Sequence, residues 1–137
     1  MTTPAREKAQ SLKTVFDNLY KILSRHSPPF KIKTGLVRNK RDLHLIAPKP
    51  VAIPGAYGGK PMDKAVTAII EQKGYIGFYC SPGYFTEGLG ADAPPEMMKF
   101  LKGKSCFHVT RLDAKLEKEI EGALKAGTKL FKKQGWL

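Results

Sequence analysis

A chain of 137 residues, 42% hydrophobic and 26% charged, is long enough to bury one core without disulfides or metals, and its length suggests one domain. No run approaches the roughly 18 apolar residues of a membrane span, which points to a soluble protein. The formal charge of +12 is uneven: residues 1–60 carry twelve Lys or Arg against three Asp or Glu, and residues 61–137 twelve against nine.

Pro4 to about His26 reads as an amphipathic helix, because Leu12, Val15, Phe16, Leu19, Ile22 and Leu23 recur every three or four residues. Lys13, Asp17, Lys21 and Arg25 fall on the opposite side. Pro28-Pro29 ends it. Phe30 to Lys33 alternates as a half-buried strand with Lys31 and Lys33 outward, and RNKRD, Arg38 to Asp42, is a polar turn. Leu43 to Ile46 is a second strand. Val51 to Ile53 is a third candidate, confined to an edge or a loop by Pro48, Pro50 and Pro54.

PGAYGGKP, Pro54 to Pro61, lacks the GxxxxGK[ST] spacing of a phosphate loop and reads as a plain loop. Lys64 to Cys80 reads as a β-hairpin at the centre of the sheet. YIGFYC is rich in aromatic and β-branched residues, and EQKG forms a four-residue loop in which Gly74 takes positive φ. Ser81 to Ala93 is expected to be a loop, followed by a helix from Pro94-Pro95 to about Lys102, capped by Asp92, with Met97, Met98, Phe100 and Leu101 inward. Ser105 to Val109 is the last strand. Asp113 caps a final helix through Gln134, with Leu116, Ile120, Leu124 and Phe131 on one stripe and Gly135 beyond its end. Together these elements predict a single α+β domain: a mostly antiparallel sheet of about five strands with N- and C-terminal helices packed on it.

The candidate chemistry is sparse. Cys80 shares parity with Ile76 and Phe78 and belongs in the core. Cys106 and His108 share one side of the last strand. As a metal pair they need further ligands, and as an active thiol Cys106 needs an activating cation, so packing within the architecture is the simpler expectation. No paired carboxylates and no GxSxG or HExxH motif specify a reaction. The tyrosines 57, 75, 79 and 84 could stack on bases or line a pocket, of interest if the fold sets them beside Lys31, Lys33, Arg38 and Arg41.

YIGFYCSPGYF (Tyr75 to Phe85), LKGKSCFHVTRLD (Leu101 to Asp113) and the closing AGTKLFKKQGWL (Ala126 to Leu137) resemble the domain of unknown function 1801 family, the YdhG-like proteins of bacteria, over the C-terminal half. The resemblance implies a compact α+β domain and supplies no reaction. Some members are described as frataxin-like iron chaperones. That role would use exposed carboxylates, whereas Asp17 is the only carboxylate beyond Glu7 on the first helix of this basic chain.

The expectation is therefore a cytoplasmic binding domain rather than an enzyme, the opening MTTPAREKAQ lacking the apolar run of a secretory signal. It would need no cofactor and take an anionic small molecule, nucleic acid or an acidic protein, away from membranes. Lys31, Lys33, Arg38, Arg41, Tyr57 and Tyr79 are the candidate ligand contacts. The alternative is iron or metal handling through Cys106 and His108.

Overall fold

The computed structural model describes residues 4–52, 57–80, 94–103 and 105–137. Among these residues six antiparallel strands form one sheet: β1 (Lys31–Val37), β2 (Lys40–Ile46), β3 (Ala65–Gln72), β4 (Tyr75–Tyr79), β5 (Leu101–Lys102) and β6 (Cys106–Val109), in the order β1-β2-β3-β4-β6-β5. Among the described residues three α-helices accompany it: α1 (Pro4–Ser24), the single turn α2 (Pro95–Met98) and α3 (Ala114–Lys133). The fold is the expected α+β domain, with six strands rather than about five.

Both long helices lie on one face of the sheet, and the core forms between them. The periodic residues of α1 from Val15 to Leu23 are buried, as are Leu116, Ile120, Leu124 and Phe131 of α3. They pack on Leu43, Leu45, Ile69, Ile76, Phe78, Phe107 and Val109, the inward positions of four strands. Cys80 joins this core at 3% exposure. Asp113 caps α3 as expected, its Oδ1 accepting from the Leu116 N–H at 2.8 Å, and this hydrogen bond leads the causes that lower its carboxyl pKa. Across the two helices, His26 Nε2 meets Glu121 Oε1 at 2.8 Å.

The departures from expectation come from backbone pairing. The turn expected over Arg38 to Asp42 contracts to Arg38 and Asn39, both at positive φ (53° and 64°), the pairing needed for a two-residue hairpin turn that follows strand twist. Lys40 to Asp42 thereby join β2, and Phe30 precedes β1 as a buried residue. The four-residue EQKG loop likewise contracts to Lys73-Gly74, with Gly74 at φ 87°. Of the candidate strand Val51 to Ile53, Val51 makes an isolated bridge with Met62, and Ile53 lies outside the described residues.

The helix expected from Pro94 to Lys102 stops after one turn. The Phe100 carbonyl accepts from the His108 N–H at 2.8 Å, and Leu101 and Lys102 pair with Phe107 and Cys106 as β5. Met97 is buried, while Met98 is 38% exposed rather than inward. Glu119 of α3 accepts the N–H groups of Glu96 and Met97, at 3.4 and 2.9 Å, and so holds the short turn to the long helix. The proposed cap Asp92 and the segment 81–93 lie outside the described residues.

Candidate functional site: the open face of the sheet

Because α1 and α3 occupy one face, the strand residues of opposite parity project from the other. Among the described residues no helix packs on that side. The register aligns Lys33, His44, Ala68, Tyr79, Cys106 and Lys102 as one row crossing all six strands. A parallel row carries Gly35, Asp42, Ile70, Gly77 and His108. Lys31 and Lys40 share the same parity, so the described strand residues bring four lysines against one carboxylate, Asp42, to this face.

Its aromatic groups are held in place by small neighbours. A Cβ placed on Gly77 would sit only 3.0 to 3.3 Å from Cε2, Oη and Cζ of Tyr79, so the tyrosine ring lies over a position that only glycine leaves vacant. The Tyr79 hydroxyl pKa is raised, first by burial and then by the adjacent Cys106 thiol, and at neutral pH the group is a neutral phenol. Next to it, Tyr75 and His108 stack with ring centroids 3.8 Å apart and planes 10° from parallel. Where β3 begins and β4 ends, a cavity of about 220 Å³ is lined by Lys64, Ala65, Ala68, Tyr79 and Ser105 among others.

The candidate ligand contacts separate. Lys31 and Lys33 are exposed on this face, with Tyr79 half-buried on it. Arg38 sits exposed at the tip of the β1–β2 hairpin, and Tyr57 opens a 3-10 turn between β2 and β3. Tyr84 lies outside the described residues. Arg41 pairs with Leu36 across the hairpin and so faces the helices. Its Nε donates to Glu71 Oε1 at 3.0 Å and its Nη1 to Asp17 Oδ1 at 2.9 Å, while its guanidinium lies 4.2 Å from the Phe16 ring centre. The Glu71 hydrogen bond heads the causes that raise its pKa. This arginine is occupied inside the protein.

Cys106 and His108 do share a side, but it is the open one, and neither fills the core. That role falls to Cys80 and to the intervening Phe107. The His108 ring is engaged by Tyr75. No group of three or more His, Cys, Asp or Glu able to hold a metal occurs among the described residues, so the pair has no third ligand there. Sequence reasoning missed His44, Lys40, Lys102 and Gly77, which two-residue periodicity brings onto this face once the register is set.

Burial pushes the Cys80 thiol up to about 12, whereas Cys106 is half-buried, and neither is in a disulfide. At neutral pH a mild aromatic disulfide reagent is expected to titrate one thiol of the native protein, Cys106, and two after denaturation. Rapid native titration of both would contradict the burial of Cys80.

No family model, curated protein or solved structure matches the chain. No described helix is long and apolar enough to cross a membrane.

Proposed function

We propose that the protein is a non-enzymatic, cytoplasmic binding domain that takes an anionic ligand on the open face of its sheet. The observation that carries this reading is the surplus of lysine on a face the helices leave uncovered, on a chain of net charge +12. Clustered cations of one sign raise the local concentration of an anion and speed its arrival. Kinship with the YdhG-like proteins belongs to the same proposal, supported by the YIGFYCSPGYF and LKGKSCFHV runs, and it implies no reaction. Metal handling through Cys106 and His108 has less support, since two ligands leave a tightly bound ion under-coordinated.

The test is calorimetric binding of phosphorylated metabolites and inorganic polyphosphate over a series of salt concentrations. Affinity should fall linearly on logarithmic axes as salt rises, and Lys31→Ala with Lys33→Ala should weaken it by about tenfold, each exposed contact contributing on the order of 1 kcal/mol or less. Absence of binding to every anion at low salt defeats the proposal.

A further inference from the structure

The anionic ligand can be narrowed by the layout of the face, an inference that rests on the anion-binding reading above. We propose that this face binds single-stranded nucleic acid, a base stacking on Tyr79 and the flanking phosphates meeting Lys33 and Lys102. The row containing them has a lysine at each end and His44, Ala68, Tyr79 and Cys106 between. Six strands give five spacings of about 4.8 Å, so the two lysines stand roughly 24 Å apart.

That separation discriminates between ligands. A small phosphorylated molecule is held by cations and N–H groups converging on one point, whereas these lysines are dispersed and a mononucleotide would reach one end of the row. A polymer with a charge at every unit can meet both while a base lies over the middle. The span is at the low end of the roughly 4–16 nucleotides that a single-strand-binding fold takes up.

The aromatic groups decide between single and double strands. A duplex turns its bases inward and is read by a helix, ribbon or loop entering a groove. A sheet surface with half-buried rings engages bases only when they are unpaired and can stack. Tyr79 is suited to this because Gly77 lets its ring lie against the strand instead of standing upright. The stacked Tyr75 and His108 rings extend the same surface. An acidic protein would satisfy the lysines and leave this aromatic arrangement without a role.

The experiment measures fluorescence anisotropy of the full chain with a labelled twelve-nucleotide oligouridylate and oligothymidylate, with a duplex of equal length and inorganic polyphosphate as competitors. Single strands should bind more tightly than the duplex. Tyr79→Ala should cost about ten- to hundredfold in oligonucleotide affinity, the loss of one stacked base, with polyphosphate affinity unchanged, and Tyr79→Phe should restore it. Gly77→Val, which leaves the tyrosine present but displaced, should also weaken the oligonucleotide. Lys33→Ala should weaken both polyanions and make the salt slope shallower by about 0.7 for a single strand.

Melting curves check the fold of each variant. If Tyr79→Ala does not fold, Gly77→Val and Tyr79→Phe carry the comparison. Wild-type oligonucleotide affinity in Tyr79→Ala or in Gly77→Val overturns the inference, as does a preference for duplex. Binding to polyphosphate without binding to oligonucleotides overturns it while leaving the anion-binding reading standing. Binding to neither removes both.

Discussion

Truncating Phe78 to alanine should cost about 3–5 kcal/mol of stability. Phe78 is fully buried on β4, and its ring lies 5.9 Å from that of Phe107 on the next strand, beneath Leu116 and Ile120 of α3. Removing it deletes contacts to two layers at once and leaves a cavity that close-packed neighbours fill only in part. For a domain whose total stability is on the order of 5–15 kcal/mol, the loss is large. Urea unfolding should show a lower midpoint with an unchanged slope. A loss under about 1 kcal/mol would mean that sheet and helix are not in contact there. Tyr79→Ala, one residue away with the opposite parity, should cost far less.

The second expected effect concerns Glu71. Its carboxylate accepts from the Arg41 backbone N–H at 2.7 Å and from Nε and Nη2 of the same residue at 3.0 and 3.2 Å. Glu71→Ala removes all three bonds and leaves the guanidinium over Phe16 with Asp17 as its remaining carboxylate. A hydrogen bond to a charged group is commonly worth about 1.5–3 kcal/mol, but the Arg41 side chain is 36% exposed, and solvent screening reduces the expected total to about 1–2 kcal/mol. Chemical denaturation of Glu71→Ala beside Glu71→Gln measures it, the glutamine keeping part of the network and losing less. Arg41→Ala should lower stability and leave anion affinity within twofold. Strong loss of binding in that variant would show that the guanidinium is not committed to its internal partners.

These contrasts show what was legible in the sequence. Local periodicity was enough for α1 and α3, because burial of one helical face repeats every three to four residues whatever the partner. Parity was enough to put Cys80 inside with Ile76 and Phe78. It was insufficient for Arg41, which reads as part of a five-residue polar turn: the turn holds only two residues, so Arg41 joins β2 on the face opposite Lys33. The positive φ of Arg38 and Asn39 sets that count, and Asn39 was its only local signal. The run PPEMMKFLK looks helical by itself and loses its second half to β6, a partner that only tertiary pairing supplies. Cys106 and Cys80 present the same local chemistry, and it is strand parity combined with the placement of both helices on one side that sends one thiol inward and the other outward. The open face was illegible for the same reason, since its rows join residues from strands far apart in sequence.

One edge of the sheet carries a further meaning. β1 is the outermost strand, seven residues long, with Ile32 and Leu36 exposed at 36% and 66% on the helix side and Lys31 and Lys33 on the other. Among the described residues nothing pairs with its outer side, and such a margin offers amides to any passing β-segment, whose docking its greasy side would favour. Cationic tips along it impose a repulsive toll on every like-charged copy. The lysines that would grip a ligand therefore also guard against fibril growth, and a polyanion neutralising them would lower that guard, so crowding of protein molecules along one long polymer is where aggregation should start.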